Sequence, residues 1–172
     1  MISLVSLSAI LRRELEALSR EVAAYPDEAL LWTPVPGMPN SGGVLVRHLC
    51  GNLQHYLGAI LGDTSYQRDR DAEFLAPPWA RSRLLEEISV TIVAVAHTLA
   101  RLPEESLGAD YPIAVAGQRL VTGDFLLHLA VHCGFHLGQV DYHRRSVSGV
   151  ATSVAPMAIP SLATARSAPH ES

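Results

Sequence analysis

Residues 4–24, LVSLSAILRRELEALSREVAA, set the pattern that decides the fold. Six aliphatic side chains recur in this segment at spacings of three and four residues: Leu4, Leu7, Leu11, Leu15, Leu18 and Val22. That period places the side chains in one stripe along an α-helix, which is stable when the stripe is buried against other elements. The segment therefore predicts a first amphipathic helix that contributes to a larger core.

Three further segments repeat this helical period, and they span about residues 40–61, 80–102 and 122–148. Asn40 or Ser41 and Thr122 are suitable N-caps for the first and the third of these helices. Pro103 and Gly149 mark the ends of the second and the third. Four amphipathic helices of about 20 residues predict an all-α fold, a four-helix bundle.

Long connections join the predicted helices. Residues 25–43 contain four prolines and three glycines, and residues 62–79 are polar and end near a Pro-Pro pair, so we expect loops there. Residues 103–121 include an alternating stretch that fits a small hairpin. We expect the bundle to occupy residues 1–150, followed by a loosely structured tail rich in Ala, Ser and Pro over residues 151–172.

The composition argues against several classes of partner. The net charge is -4 and the basic residues are scattered, so we expect no nucleic-acid binding. No apolar run approaches the roughly 20 residues of a membrane span, and we expect no membrane association. Cys50 and Cys133 are the two cysteines and form no C-x-x-C pair, so we expect a reducing, cytoplasmic location.

The last predicted helix concentrates histidines. Residues 128–145, HLAVHCGFHLGQVDYHRR, hold His128, His132, His136 and His143 within one broad stripe. Imidazoles four residues apart lie close enough on a helix to share one metal ion. His128 and His136 are about 12 Å apart along the axis, however, so one ion cannot bind both. The spacing permits a pair of His128 with His132, or of His132 with His136.

The second predicted helix carries a matching polar stripe of His48, Asn52 and His55. If these two helices pack together, His48 can complete a three-histidine site with either pair, as bundles build metal sites from facing helices. Six histidines on two helices favour a metal site over a set of ordinary core or surface histidines. Cys50 and Cys133 turn to other helix faces and are expected to be buried packing residues.

Other catalytic patterns are absent from the sequence. The residue after His132 is Cys133 where a zinc peptidase has its glutamate, and no Glu-x-x-His of a di-iron bundle occurs. The sequence contains no P-loop, no G-x-S-x-G and no G-x-G-x-x-G. These absences argue against peptidase, nucleotide-binding and serine-hydrolase functions.

Two motifs resemble those of the DinB-like superfamily of bacterial four-helix bundles, also called damage-inducible-like or DinB/YfiT-like proteins. They are VRHLCGNLQHYLGAILG (46–62) and GDFLLHLAVHCGFHLGQVDYHRR (123–145), and the resemblance covers about residues 3–148. It implies that a divalent ion, usually nickel or zinc, is bound by a histidine triad of His48, His132 and His136. It further implies that His55, His128 and His143 line the site or have structural roles. By their spacing, Gln139, three residues after His136, and Asn52, one turn after His48, are candidates for orienting the ligand rings.

The resemblance also implies a range of functions. Some relatives are thiol-dependent S-transferases or isomerases that act on small molecules with a low-molecular-weight thiol, and members often form homodimers. Others are metal-dependent hydrolases, and a non-catalytic stress-response metal-binding module is a further alternative. Asp141 lies five residues after His136, on another helix face, and no carboxylate in the two motifs is placed as a general base. Thiol transfer is therefore the favoured interpretation.

Overall fold

The protein is described by a computed structural model over residues 3–168, and these residues form helices and loops with no β-strand. The predicted all-α fold is thus confirmed. Helix α1 (Leu4–Ala23) begins after Ser3, whose side chain accepts a hydrogen bond from the backbone N–H of Ser6 at 3.1 Å. All six side chains of the predicted stripe are buried.

Helix α2 (Gly42–Leu53) begins after Ser41, as predicted, and continues through a π-helical segment (Gln54–Ala59) and a last α turn (Ile60–Gly62). In the π segment the backbone N–H of Ile60 bonds to the carbonyl of His55 instead of that of Tyr56. The freed Tyr56 carbonyl accepts a hydrogen bond from the hydroxyl of Tyr111 at 2.7 Å. The loop before the last helix is thereby fixed to α2.

A short helix, α3 (Arg70–Leu75), lies within the segment predicted to be a loop, and the prediction for residues 62–79 is wrong at this point. The side chain of Asp69 caps the helix by accepting the N–H of Ala72 at 2.9 Å. Asp71 and Glu73 follow in the first turn, where negative charge stabilises the helix dipole. Cap and charge together compensate for the shortness of α3.

The last two long helices are α4 (Arg81–Arg101) and α5 (Thr122–Ser148). The N-cap of α5 is Val121 rather than the predicted Thr122, which is buried in the first turn. Gly149 ends α5 in a left-handed conformation with φ of 70°. Residues 103–121 form a hairpin-like loop with two isolated β-bridges in place of the strands that a true hairpin would have.

The four long helices pack around one leucine-rich core. Helix α1 lies mainly against α4 and α5, and α2 lies against the same two helices, so the order around the bundle is α1, α4, α2, α5. The long connections permit this arrangement, in which α1 does not pack beside α2, and α4 does not pack beside α5, although each pair is consecutive among the long helices. Because α2 and α5 are direct neighbours, their two polar stripes meet over part of their length.

The segment after α5 follows the body of the protein. Its backbone carbonyls accept hydrogen bonds from Arg20 on α1, at Val154, and from Arg144 on α5, at Thr152. The last four residues of the predicted tail lie outside the described residues. Among residues 3–168, none of the helices combines the length and the apolar character that crossing a membrane requires.

Candidate metal centre

Three histidines converge between α2 and α5. His48 projects from α2, and His132 and His136 project from adjacent turns of α5, so that one ring nitrogen of each lies within 4.8 Å of the others. Nε2 of His48 is 3.3 Å from Nε2 of His132. Of the two pairs that helical spacing left open on α5, His132 with His136 is the one in this cluster.

The spacing of these nitrogens fits a shared divalent ion. Two imidazole nitrogens bound at about 2.0–2.1 Å to a tetrahedral zinc ion are about 3.3–3.4 Å apart. His132 faces His48 through Nε2, and an ion at the point of convergence would bind that nitrogen. The Nδ1 of His132 is buried without a hydrogen-bond partner among residues 3–168, so the interactions of this ring are made on the side of the cluster. The residues present therefore fit a metal ion.

His132 and His136 are in the protonation state that binds metals. Burial, together with the neighbouring His136 and His48, lowers the pKa of His132 to about 4. Burial also lowers the pKa of His136 below its ordinary value. At neutral pH both rings are uncharged, and a neutral imidazole has a nitrogen lone pair free for coordination.

Glu73 of α3 orients the ring of His48. Its Oε2 accepts a hydrogen bond from Nδ1 of His48 at 2.9 Å, so Nε2 is left to face the other histidines. Arg68 holds the same carboxylate with two hydrogen bonds, of 2.6 and 2.9 Å. Burial alone would raise the pKa of Glu73, but the bonds from His48 and Arg68 outweigh it and lower that pKa.

Gly51 makes room for this carboxylate. A Cβ at position 51 would collide with Oε1 of Glu73, closer than 3.0 Å. The glycine lies one turn after His48 on the same buried face of α2, so any larger residue would displace Glu73 from the ring. Gly51 and Glu73 thus form one packing unit behind His48.

Gln139 supports the third histidine of the cluster. Its Oε1 accepts a hydrogen bond from Nδ1 of His136 at 2.6 Å, so Nε2 of that ring is the free nitrogen. Gln139 is exposed, in contrast to Glu73, and lies at the solvent side of the cluster. Two of the three rings are therefore oriented by hydrogen bonds at Nδ1, one from each side of the site.

The other predicted site residues occupy different positions. Asn52 is buried one turn after His48, and its Oδ1 has no partner within residues 3–168. His128 is exposed and stacks on His132 with ring centroids 6.1 Å apart, while His55 packs against its neighbour Tyr56. His143 bonds to Tyr25 and to the carbonyl of Thr33, away from the cluster.

Sequence reasoning missed Glu73 and Arg68. Both lie in the segment 62–79, which was expected to be a loop, and neither falls in a histidine motif. The available signal was an N-cap pattern, Asp69 followed by acidic residues at 71 and 73, which is typical of the first turn of a helix. Nothing in that pattern indicates that this helix brings Glu73 next to His48.

A cleft of about 350 Å³ reaches the cluster from one side of α5. His136 and Gln139 contribute polar atoms to its lining, and Met38, Leu45 and Tyr142 contribute apolar surface. The remaining lining comes from the loop before α2: Gly37, Pro39 and Asn40. A small molecule bound in this cleft would contact the edge of the His136 ring.

These features define a helical protein with a three-histidine cluster that is suited to a divalent metal and is reached through a cleft. The family model of the DinB superfamily matches residues 10–140, and the chain belongs to this superfamily. Searches of the curated proteins and of the solved structures gave no match. Family and cluster together fit divalent metal binding.

Proposed function

We propose that the protein binds one divalent metal ion, nickel or zinc, through His48, His132 and His136. The observation that carries this proposal is the convergence of three ring nitrogens within 4.8 Å, two of them on imidazoles oriented by Glu73 and Gln139. Three neutral nitrogen ligands suit both ions. Three protein ligands also leave a coordination position for a water or a substrate, as in catalytic sites.

We propose further that the site serves a thiol-dependent S-transferase or isomerase. A divalent ion there would lower the pKa of a bound thiol, so that the sulfur is available as a nucleophile at neutral pH. In a transfer, the thiol gives up its proton, its sulfur bonds to an electrophilic carbon, and the leaving group departs with the electron pair. The cleft beside His136 supplies a place for that second, small-molecule substrate.

The positions of the nearby carboxylates favour thiol transfer over hydrolysis. Metal-dependent hydrolysis is commonly assisted by a carboxylate that takes a proton from the attacking water. Both oxygens of Glu73 are held by His48 and Arg68, and Asp141 is bonded to Arg144 and Arg145. A thiol can ionise without such a base. The alternatives that the assays must separate are metal-dependent hydrolysis and a non-catalytic stress-response metal-binding module.

The ligand assignment is tested by metal content after purification and reconstitution with zinc or nickel. We expect His132→Ala to lose the bound ion, since it removes the central ligand. His128→Ala is the matched control, because it removes an imidazole one turn away on the same helix that lies outside the cluster. Unchanged metal content in His132→Ala, with the protein folded, would refute the assignment.

The reaction class is tested by conjugation of several low-molecular-weight thiols with a panel of uncharged electrophiles. We expect thiol consumption that depends on the reconstituted ion and is absent from folded His132→Ala. Hydrolysis of ester or amide substrates without thiol would favour the hydrolase alternative. Metal binding without either activity would favour a non-catalytic role.

We also propose that the protein acts in the cytoplasm. Cys50 and Cys133 are both free and fully buried in the core, as is usual for thiols in a reducing compartment. Fractionation of cells that produce the full chain tests this location, and recovery of the protein outside the cytoplasm would contradict it.

A further inference from the structure

Among the described residues, no Asp, Glu, Lys or Arg lines the cleft beside His136. We call it the His136 cleft; its volume is about 350 Å³ and it has eight lining residues: Gly37, Met38, Pro39, Asn40, Leu45, His136, Gln139 and Tyr142. A larger cleft of about 540 Å³ beside α1 is different, since Arg12, Arg13 and Glu16 contribute to its lining. The His136 cleft therefore has no acidic or basic side chain that could pair with a charged ligand.

One wall of the His136 cleft comes from a tight turn before α2. The N–H of Met38 donates to the carbonyl of Val35 at 2.9 Å, and Pro36 and Gly37 occupy the two central positions. Gly37 has a φ of 80°, and Pro-Gly at these positions is typical of a type II turn. The backbone of this wall is thus ordered before a ligand binds, and the flexible thioether of Met38 can adapt to an apolar ligand.

The other wall comes from α5 and contributes hydrogen-bond donors. His136, Gln139 and Tyr142 follow one another at spacings of three residues, so their side chains are neighbours on the helix surface. The amide oxygen of Gln139 accepts from Nδ1 of His136, which leaves its NH2 group as a donor. The hydroxyl of Tyr142 and the amide of Asn40 are two further uncharged donors among the lining residues. A few such donors in an apolar cleft recognise an acceptor atom of a ligand.

An uncharged ligand with an apolar body fits this lining better than an ion does. Met38, Leu45 and the ring of Tyr142 offer apolar contact. An ion that enters the cleft gives up water of hydration, and the lining residues have no opposite charge to replace that water. A neutral ligand loses less hydration, and its acceptor oxygen can bond to the donors. The lining thus favours neutral over charged ligands.

We propose that the His136 cleft selects uncharged ligands that combine an apolar body with a carbonyl-type acceptor oxygen, and that Asn40 and Tyr142 determine this specificity. Under the proposed function, on which this inference rests, such a ligand is the electrophile, an uncharged carbonyl compound. The selection itself is made by the lining residues and does not require the ion. It can therefore be measured separately from metal binding and thiol transfer.

The first experiment measures the binding of three molecules of similar shape to the metal-free protein by ligand-observed NMR titration. The probes are benzamide, benzoate and benzamidinium, which are uncharged, anionic and cationic at neutral pH. We expect benzamide to bind more tightly than either ion by about tenfold or more, because the cleft offers no opposite charge. Metal-free protein is used so that a bound ion does not attract benzoate. Equal or tighter binding of benzoate or benzamidinium would overturn the proposal.

The second experiment introduces a charge into the cleft and assigns the selectivity to it. Relative to benzamide, we expect Asn40→Arg to improve benzoate binding and Asn40→Asp to improve benzamidinium binding, each by about tenfold. Gln67→Arg and Gln67→Asp are the matched controls, because they make the same charge changes at an exposed amide outside the cleft. Unchanged preferences in the folded Asn40 variants, or equal changes in the Gln67 variants, would overturn the role of this cleft.

The third experiment tests the donors with the double variant Asn40→Leu, Tyr142→Phe. We expect benzamide to bind about fivefold more weakly, and toluene, which has no acceptor oxygen, to bind as it does to the wild type. Unchanged benzamide binding would overturn the proposed recognition of an acceptor oxygen.

These measurements also distinguish the two proposals. Selective benzamide binding without metal-dependent thiol consumption would support the specificity of the cleft and refute thiol transfer. Metal-dependent thiol consumption by a protein that binds all three probes equally would refute the specificity of the cleft alone.

Discussion

At the scale of single residues, the candidate metal centre includes a carboxylate outside both histidine motifs. Glu73 is buried between the His48 ring and the Arg68 guanidinium, and its pKa stays low, so it accepts from His48 in its charged form. A carboxylate behind an imidazole fixes the ring orientation and raises its basicity as a ligand. Glu73 is therefore a positioning residue rather than a ligand.

Replacement of Glu73 by glutamine tests this role. Glu73→Gln keeps an oxygen that can accept from His48 but loses the charge that attracts both His48 and Arg68. We expect zinc affinity to fall about 10–100-fold, the range typical for partners of metal-ligating histidines. Competition with a chromogenic chelator measures the affinity. Glu16→Gln is the control, because it alters an exposed carboxylate paired with Arg12, and unchanged affinity in Glu73→Gln would contradict the prediction.

His143 illustrates a histidine with a structural role. Its Nε2 donates to the carbonyl of Thr33 at 2.9 Å, so its Nδ1 accepts from the hydroxyl of Tyr25 at 2.8 Å. The ring is 1% exposed. Burial lowers its pKa below the ordinary value of 6.5, so the folded protein keeps this ring neutral.

A pH dependence of stability follows from His143. Because its pKa is lower in the folded state, the unfolded chain takes up the proton first, and stability falls as the pH drops below about 6.5. We expect His143→Gln to be less stable than the wild type at pH 8 and the gap to narrow at acid pH. Denaturant titrations of metal-free protein measure this, with exposed His97→Gln as control. If the stability of His143→Gln and that of the wild type changed with pH by the same amount, the prediction would be contradicted.

At the scale of elements, the long helices and the short helix differ in how far sequence predicts them. The stripe of α1 repeats over five turns, so its period is unambiguous, and all six of its predicted core residues are buried. Helix α3 has six residues and cannot display a period. Its stability comes from the Asp69 cap and from Arg47, which donates to the carbonyls of Ala76 and Pro77 beyond its end.

The candidate site, like the fold, was predictable from the sequence only in part. The histidine spacing on α5 left two pairs open, and resemblance to a family selected the pair that the structure brings together with His48. Glu73 and Arg68 approach His48 through a turn of the chain whose path depends on tertiary contacts. The local sequence around them encodes a helix start but not the direction in which that helix points.

The cap of α3 gives a test at this scale. Asp69→Ala removes the acceptor for the N–H of Ala72 and costs about 1 kcal/mol of local helix stability. If α3 must be ordered for Glu73 to reach His48, zinc affinity falls about fivefold, the ratio that corresponds to this free energy. Asp69→Asn retains the cap and should bind as the wild type does. Equal zinc affinities in the wild type, Asp69→Ala and Asp69→Asn would show that zinc binding does not depend on the order of α3.

At the scale of the whole molecule, a buried charge cluster joins α1, α5 and the tail. Arg144 is 1% exposed and pairs with Glu21 of α1, which is fully buried, and with Asp141 of its own helix. It also donates to the carbonyl of Thr152 in the tail at 2.7 Å. One guanidinium thus orders three separate parts of the chain.

Removal of this guanidinium should destabilise the entire fold. Arg144→Met leaves Glu21 buried without its charged partner, which costs about 3–5 kcal/mol in comparable cases. We expect a large drop in the denaturant midpoint, and partial recovery when Glu21→Gln is added, because the uncompensated charge is gone. Arg12→Met breaks an exposed pair and should change stability by less than about 1 kcal/mol. A small effect of Arg144→Met would contradict this.

The separation of the ligands along the chain affects how the protein matures. His48 and Glu73 are 25 residues apart, whereas His48 and His132 are separated by 84 residues. At about 5–20 residues per second, the ribosome needs roughly 4–17 s to translate that interval. During this time the nascent chain contains His48 and Glu73 but not yet the two histidines that α5 contributes to the proposed site. An ion held by all three histidines of the proposed site can therefore bind only after α5 has emerged from the exit tunnel.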